Sequence, residues 1–386
     1  MNTLIRPTLY RHFHRMAWLA AFFTASTIVF GSFVRLSDAG MSCPDWPTCY
    51  GRITWPTTQK EASTNAAIKI RPLETQKAWK EQVHRFLASA LGLESLILVL
   101  LVTRRHRKRF LSIIVAAGLV LLSIPLYIYG LHPVAFITAA LGEGILLTAA
   151  YLWSNKDLSR VAVLVLAVVI FQALLGMWTV TMLLQPIVVM GHLMGAFCMF
   201  SLLTWMACRA TGLWITVGGK HLRWLVRIGL TFLVIQIALG GWVSANYASL
   251  ACGGGSWSIH NFPQCVGHWW PTQDYADGLT LTRSIGVDYE GGVLDGPARI
   301  AIQMLHRMWA LATVSYLIGL CVYMWRLPGL RSWTAGILIA VLIQTMLGIL
   351  NVKLALPLLV GVMHNAGAVA LTYLLISLLA RMRAPE

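Results

Sequence analysis

Charge is what this chain lacks most. Only 11% of its 386 residues are charged and only 14 are acidic, whereas soluble globular domains carry about 25% charged residues. A soluble fold is excluded, and 58% hydrophobic residues with a mean hydropathy of +0.69 indicate a polytopic membrane protein. Cysteine is sparse as well, with seven residues and no CxxC, which argues against a thioredoxin-like dithiol centre. The first apolar run lacks a small-residue cleavage site after it, so it reads as an uncleaved first helix rather than a signal peptide.

A membrane-spanning helix needs roughly 20 mostly apolar residues. Ten segments qualify: 16–36, 82–103, 110–130, 132–153, 160–183, 187–208, 224–247, 300–325, 331–354 and 357–380. The net charge of +16 would suggest nucleic acid in a soluble chain, but here the basic residues cluster where helix ends meet one side of a membrane. With the N-terminus inside, the inner segments hold Arg6, Arg11, Arg15, the run RRHRKR at 104–109, Lys156, Arg160, Arg209, Lys220, Arg223, Arg227, Arg326, Arg331, Arg381 and Arg383. The short turns near 131, 185 and 356 have no Lys or Arg. Basic residues favour the cytoplasmic side, so both termini are expected there. No nucleic-acid partner is expected; lipid is the surrounding medium. With little chain ahead of the first span for an organelle transit peptide, a bacterial plasma membrane is expected.

This orientation puts two long loops, 37–80 and 248–299, on the outer side, where disulfides persist. Pairing Cys43 with Cys49 and Cys252 with Cys265 is expected. Cys198, Cys208 and Cys321 fall within spans and read as small buried hydrophobes.

The chain repeats itself. FQALLGMWTVTMLLQPIVVMGHLMGA at 171–196 aligns with IQTMLGILNVKLALPLLVGVMHNAGA at 343–368, with nine identities in 26 ungapped positions. HRFLASA at 84–90 matches HRMWALA at 306–312 in four of seven positions, and the two cysteine loops form a third match. An all-α fold of two tandem four-helix repeats follows, residues 1–209 and 210–386, in parallel orientation. The paired histidines lie 108 residues apart in the first half and 58 in the second. The surplus of 50 identifies the hairpin at about 110–153 as an insertion.

Four histidines, His84, His192, His306 and His364, fall at equivalent positions and similar depth in the two copies. Intramembrane ligating residues are costly and usually functional. Two imidazoles per half, facing across a helical bundle, suit haem iron. Zinc is the competitor, but it wants three or four protein ligands, and the second half has no intramembrane acid. The QxxLG patterns at Gln172–Gly176, Gln236–Gly240 and Gln344–Gly348 suggest close helix approach near a cofactor. Arg85 and Arg307 follow the first histidine of each half; pairing with haem propionates and interfacial snorkelling weigh equally.

The halves differ at one telling position. Glu81 stands three residues before His84, nearly one turn away on the same face, and its counterpart before His306 is Gln303. A carboxylate there could take a proton or stabilise developing positive charge; an acid that merely suits the helix dipole is the rival. Glu94 and Glu143 lie deeper, and Glu94 is about 15 Å along the axis from His84 and off its face.

With VRLSDAGMSCPDWPTCYG at 34–51, EQVHR at 81–85, the LG and GH elements at 175–192, and the HR and MHNAGA elements around 306 and 363, nearly the whole chain resembles the haem A synthase family. The resemblance implies stepwise oxidation of one ring methyl of haem O, through a hydroxymethyl group, to the formyl group of haem A. It implies substrate haem at His84 and His192, resident haem b on His306 and His364, and Glu81 as catalytic acid. The family's outer-loop cysteines map onto Cys43 and Cys49, which can be structural or redox-active. It also implies a haem O synthase and cytochrome oxidase assembly factors as partners, with an unidentified electron acceptor. The inserted hairpin and the wider spacing of the second cysteine pair depart from the minimal eight-span pattern. Three rivals remain: a dihaem b-type electron-transfer protein linked to quinone, a membrane thiol oxidoreductase, and a haem carrier.

Overall fold

The computed structural model describes residues 12–63, 65–154, 157–216 and 220–383. Among these, ten helices are long and apolar enough to cross a membrane. They are α1 (Phe13–Leu36), α2 (Thr75–Thr103), α3 (Arg107–Ile128), α4 (His132–Leu152), α5 (Ser159–Thr181), α6 (Pro186–Thr211), α7 (Lys220–Ala245), α8 (Gly296–Trp325), α9 (Arg331–Lys353) and α10 (Leu358–Arg381). The ten expected spans are all present in an all-α polytopic membrane fold. Arg6, Arg11 and Lys156, counted among the inner basic residues, lie outside the described residues.

Several helices begin earlier than their apolar runs suggest, among them the two that carry the first histidine of each half. α2 starts at Thr75 rather than near 82 and α8 at Gly296 rather than near 300. Backbone hydrogen bonding carries a helix past the end of its apolar stretch wherever a cap is present. For α8 the cap is the Asp295 carboxylate, which accepts from the Ala298 N–H at 2.9 Å, with Pro297 in the first turn.

The helices divide between two compact units. The first comprises the described residues up to Thr24, Phe86–Leu174 and Cys198–Trp214, and includes the hairpin α3–α4. Gly142 on α4 lets these helices cross closely: a Cβ there would stand 2.8 Å from the Ala116 carbonyl oxygen. Arg109, from the basic run, donates to Asp157 at 3.0 Å and Ser159 at 2.9 Å. Cys208 is buried, but Cys198 is on the surface of its helix, where bilayer rather than protein would cover it; the expectation of burial holds for Cys208 and Cys321 only.

The second unit comprises Ala25–Arg85, Leu175–Phe197 and the chain from Ile215 onward. Both cysteine loops belong to it. The first packs a small core of Cys43, Cys49, Tyr50, Ala62, Ala67 and Leu73 onto Ala78 of α2; the second packs Cys252 and Cys265 onto Met304 of α8. Arg71 of the first loop pairs with Glu290 of the second.

The duplication extends to backbone detail. Cys49–Arg52 and Cys265–His268 are matching bridges, and in both the two central residues, Tyr50–Gly51 and Val266–Gly267, have positive φ. That is the signature of a type I′ turn, in which glycine relieves the second position. α1 and α7 are each followed by a left-handed residue, Asp38 and Tyr247, while Leu183–Leu184 and Ala355–Leu356 form matching left-handed pairs after α5 and α9. Left-handed non-glycine residues cost about 1 kcal/mol or more each, so their recurrence at equivalent positions marks one ancestral backbone used twice.

Candidate functional site

The four histidines sit on four different helices of the second unit. His84 lies nine residues into α2 and His306 ten into α8; His192 and His364 each lie six into α6 and α10. The early starts of α2 and α8 account for the difference. His192 lies near enough to His84, and His364 to His306, for a charge on one ring to be felt at the other. The structure thus brings each half's pair together.

Each imidazole rests on a glycine of a neighbouring helix. A Cβ built on Gly31 of α1 would stand 2.9 Å from His84 Cε1. The corresponding separations are 3.3 Å for Gly176 and His192, 3.2 Å for Gly240 and His306, and 3.1 Å for Gly348 and His364. Three of these glycines end the QxxLG patterns. Gly31 was missed because Thr27 stands where the other copies have glutamine; the alignment of Gly31 with Gly240 was the available signal. Gln236 Nε2 lies 3.1 Å from His306 Nδ1, and Gln344 Nε2 lies 3.4 Å from His364 Nε2.

The histidine surroundings fit a planar iron macrocycle. Nδ1 of His84 and of His364 is buried with no hydrogen-bond partner, and a buried unsatisfied polar atom costs about 1–3 kcal/mol. Coordination of an iron by that nitrogen would offset the cost. Glycine on the far side of each ring leaves the imidazole room to stand upright between its own helix and the next.

Beside His84, Glu81 is only 5% exposed. Its Oε1 accepts from Arg85 Nη2 at 2.6 Å, and its Oε2 accepts from the Cys43 N–H at 2.8 Å. Arg85 also donates to the carbonyls of Cys43 (2.8 Å), Asp45 (2.8 Å) and Thr48 (2.7 Å). Glu81 and Arg85 therefore fasten the Cys43–Cys49 disulfide loop directly above the His84 turn. Asp45 closes the same loop by accepting from the N–H groups of Tyr50 (2.6 Å) and Gly51 (2.8 Å).

The second half reproduces the arginine but not the acid. Arg307 donates to the carbonyls of Gln264 at 3.1 Å and Asn261 at 3.2 Å, inside the Cys252–Cys265 loop. Lys353 adds bonds to the carbonyls of Ser258 and Phe262, both 2.9 Å. Gln303, the counterpart of Glu81, is 4% exposed and its Oε1 has no partner. Both arginines, expected equally as propionate partners or snorkelling cations, hold carbonyls of the disulfide loops.

Two results are expected here. Arg85→Ala leaves Glu81 as an unpaired buried charge, which costs about 3–5 kcal/mol; Arg307→Ala strips only neutral carbonyls. Thermal melts of the purified variants should show the larger fall for Arg85→Ala, and equal falls would contradict this account. Burial pushes the Tyr50 phenol from 10.0 up to about 12, and Asp45 adds to the shift. The fold favours the protonated phenol, so its contribution is complete below pH 10 and is lost as pH rises toward 12. Tryptophan fluorescence near Trp55, which packs on this loop core, should therefore change in that range before the helices melt.

These features define the class: a polytopic helical membrane protein that holds two pairs of half-buried histidines together with two disulfide loops. A sequence model of the COX15-CtaA family, described as a cytochrome oxidase assembly protein, matches residues 14–125 and 136–376. The heme A synthase of Shewanella oneidensis is 32% identical over 371 residues, which cover 94% of this chain and 96% of that protein. The chain belongs to the COX15-CtaA family.

Proposed function

We propose that this chain oxidises haem O to haem A and divides the work between its halves, residues 1–209 and 210–386. The observation that carries the division is the asymmetry at one position: a buried, ion-paired Glu81 beside His84, against a neutral Gln303 beside His306. Family membership and the similarity to a heme A synthase support the reaction.

In this reading His84 and His192 hold the substrate haem. Each oxidation removes two electrons and two protons at one ring-methyl carbon: the first also adds the oxygen of one water molecule to give hydroxymethyl, and the second converts hydroxymethyl to formyl. Glu81, paired with Arg85 and aimed by the Cys43 N–H, stabilises positive charge on that carbon and accepts one of the protons released. His306 and His364 hold the resident haem b, which when bound supplies one-electron transfer; Gln236 and Gln344 fix the orientation of their rings. The cysteine loops face the outside of a bacterial inner membrane and both termini the cytoplasm. A haem O synthase supplies the substrate, cytochrome oxidase assembly factors receive the product, and a separate acceptor takes the electrons.

The test is chromatography of haems extracted from a host that makes no haem A, expressing this chain with a haem O synthase. Haem A or its hydroxymethyl precursor should appear; haem O and haem b alone, with the chain folded and haem-loaded, would favour an electron-transfer or carrier role. Separately, His306→Ala and His364→Ala should each abolish the low-spin haem b spectrum. A full spectrum in either variant would overturn the pairing.

A further inference from the structure

An apolar groove of about 460 Å³ lies between α1 and α10, lined by Ala25, Ser26, Val29, Phe30, Phe33 and Val362. Its volume is within the range of small-molecule sites. The α1 residues fall at i, i+1, i+4, i+5 and i+8, so they form one helical face about 12 Å long. The groove is continuous with the candidate substrate site. Phe30 stacks on the His84 ring, with centroids 6.4 Å apart and planes 26° from parallel, and the next residue, Gly31, is the one on which that ring rests. α10 closes on α1 just beyond the groove, where a Cβ on Gly361 would stand 2.8 Å from Leu36 Cδ1.

We propose that this groove takes the isoprenoid tail of haem O, an assignment that rests on the haem O reading above. Haem O carries two acidic propionates on one edge of the ring and the tail on the opposite edge. With the propionates toward the cysteine loops, the tail leaves the ring on the side of the bilayer centre. The groove runs in that direction, from Phe33 and Phe30 beside His84 back along α1 to Ala25. The repeat supplies a contrast. The α7 residue equivalent to Phe33 is Trp242, 3% exposed, with its indole N–H donated to the Gly278 carbonyl at 2.8 Å. In the half read as holding haem b, which has no tail, that end of the face is filled by protein.

A tail moved from lipid into the groove exchanges one apolar surround for another, so the gain is packing rather than the hydrophobic effect. The expected preference is correspondingly moderate. Purified protein carrying its resident haem, in lipid nanodiscs, is titrated with haem O and separately with tail-less protohaem, and binding is read from the Soret difference spectrum. The wild type should bind haem O about tenfold more tightly than protohaem. Val29→Trp on α1 and Val362→Phe on α10 should each abolish that preference, leaving protohaem binding and the resident haem spectrum unchanged. The retained resident spectrum reports that each variant is folded. A preference that survives both substitutions overturns the groove assignment, and so does a wild type that binds the two haems equally while still making haem A. A wild type that binds neither haem and makes no haem A overturns the functional reading, and the groove with it.

Discussion

Glu81→Gln is expected to lower haem A formation by about a hundredfold or more, the usual effect of losing a positioned acid–base group, while the low-spin haem b spectrum stays at its wild-type strength. The chain itself carries the control, since Gln303 occupies the equivalent position beside His306 without harm to the fold. The amide preserves shape but not charge, so it can neither balance Arg85 nor accept a proton from the substrate. Glu81→Asp keeps the charge but draws the carboxylate back by one methylene, so it cannot reach both Arg85 and the Cys43 N–H, and should give an intermediate rate. Extracted haems are separated by chromatography, and each variant is also melted. If haem A output is normal in Glu81→Gln, the carboxylate has no part in the chemistry. If output falls only in proportion to lost thermal stability, Glu81 is a strut for the disulfide loop and nothing more.

The features of this site that could be read from sequence are those written in residue identity and spacing. Ten apolar stretches fixed the helix number, because twenty residues without charge have few other destinations. The four histidines were visible because two copies present them in register, and the Glu81–Gln303 difference because one copy can be compared with the other. What the sequence hid was direction. Arg85 and Arg307 could have pointed toward a ligand or a membrane surface, and only the fold turns their guanidinium groups into the carbonyls of the cysteine loops. Gly31 was hidden for a different reason: the glutamine that flags its three counterparts is absent, so a residue defined by what it does not carry left no pattern of its own. The early start of α2 was equally obscure, since Lys77, Lys80 and Glu81 mark the end of an apolar run but not the end of a helix.

The glycine beneath each histidine yields the second large effect. Gly348→Val should lower resident haem loading by at least about tenfold, the scale on which groups that orient a metal ligand act. At 3.1 Å from His364 Cε1 even a Cβ crowds the ring, and the two further methyl groups of valine force it to tilt; Gly348→Ala should give a weaker form of the same defect. Gly31→Val should do the opposite, leaving haem b loading intact and abolishing haem A formation, because a Cβ at 2.9 Å displaces His84 rather than His364. Gly319 lies on α8 with His306, yet a Cβ there meets nothing within 4 Å, so Gly319→Ala should leave both readouts unchanged. Haem content per protein, the reduced-minus-oxidised spectrum and haem A yield separate these outcomes. Equal loss of haem b in Gly31→Val and Gly348→Val would mean that the histidine pairs do not work as independent sites, and the assignment of substrate to one half and resident haem to the other would fall with them.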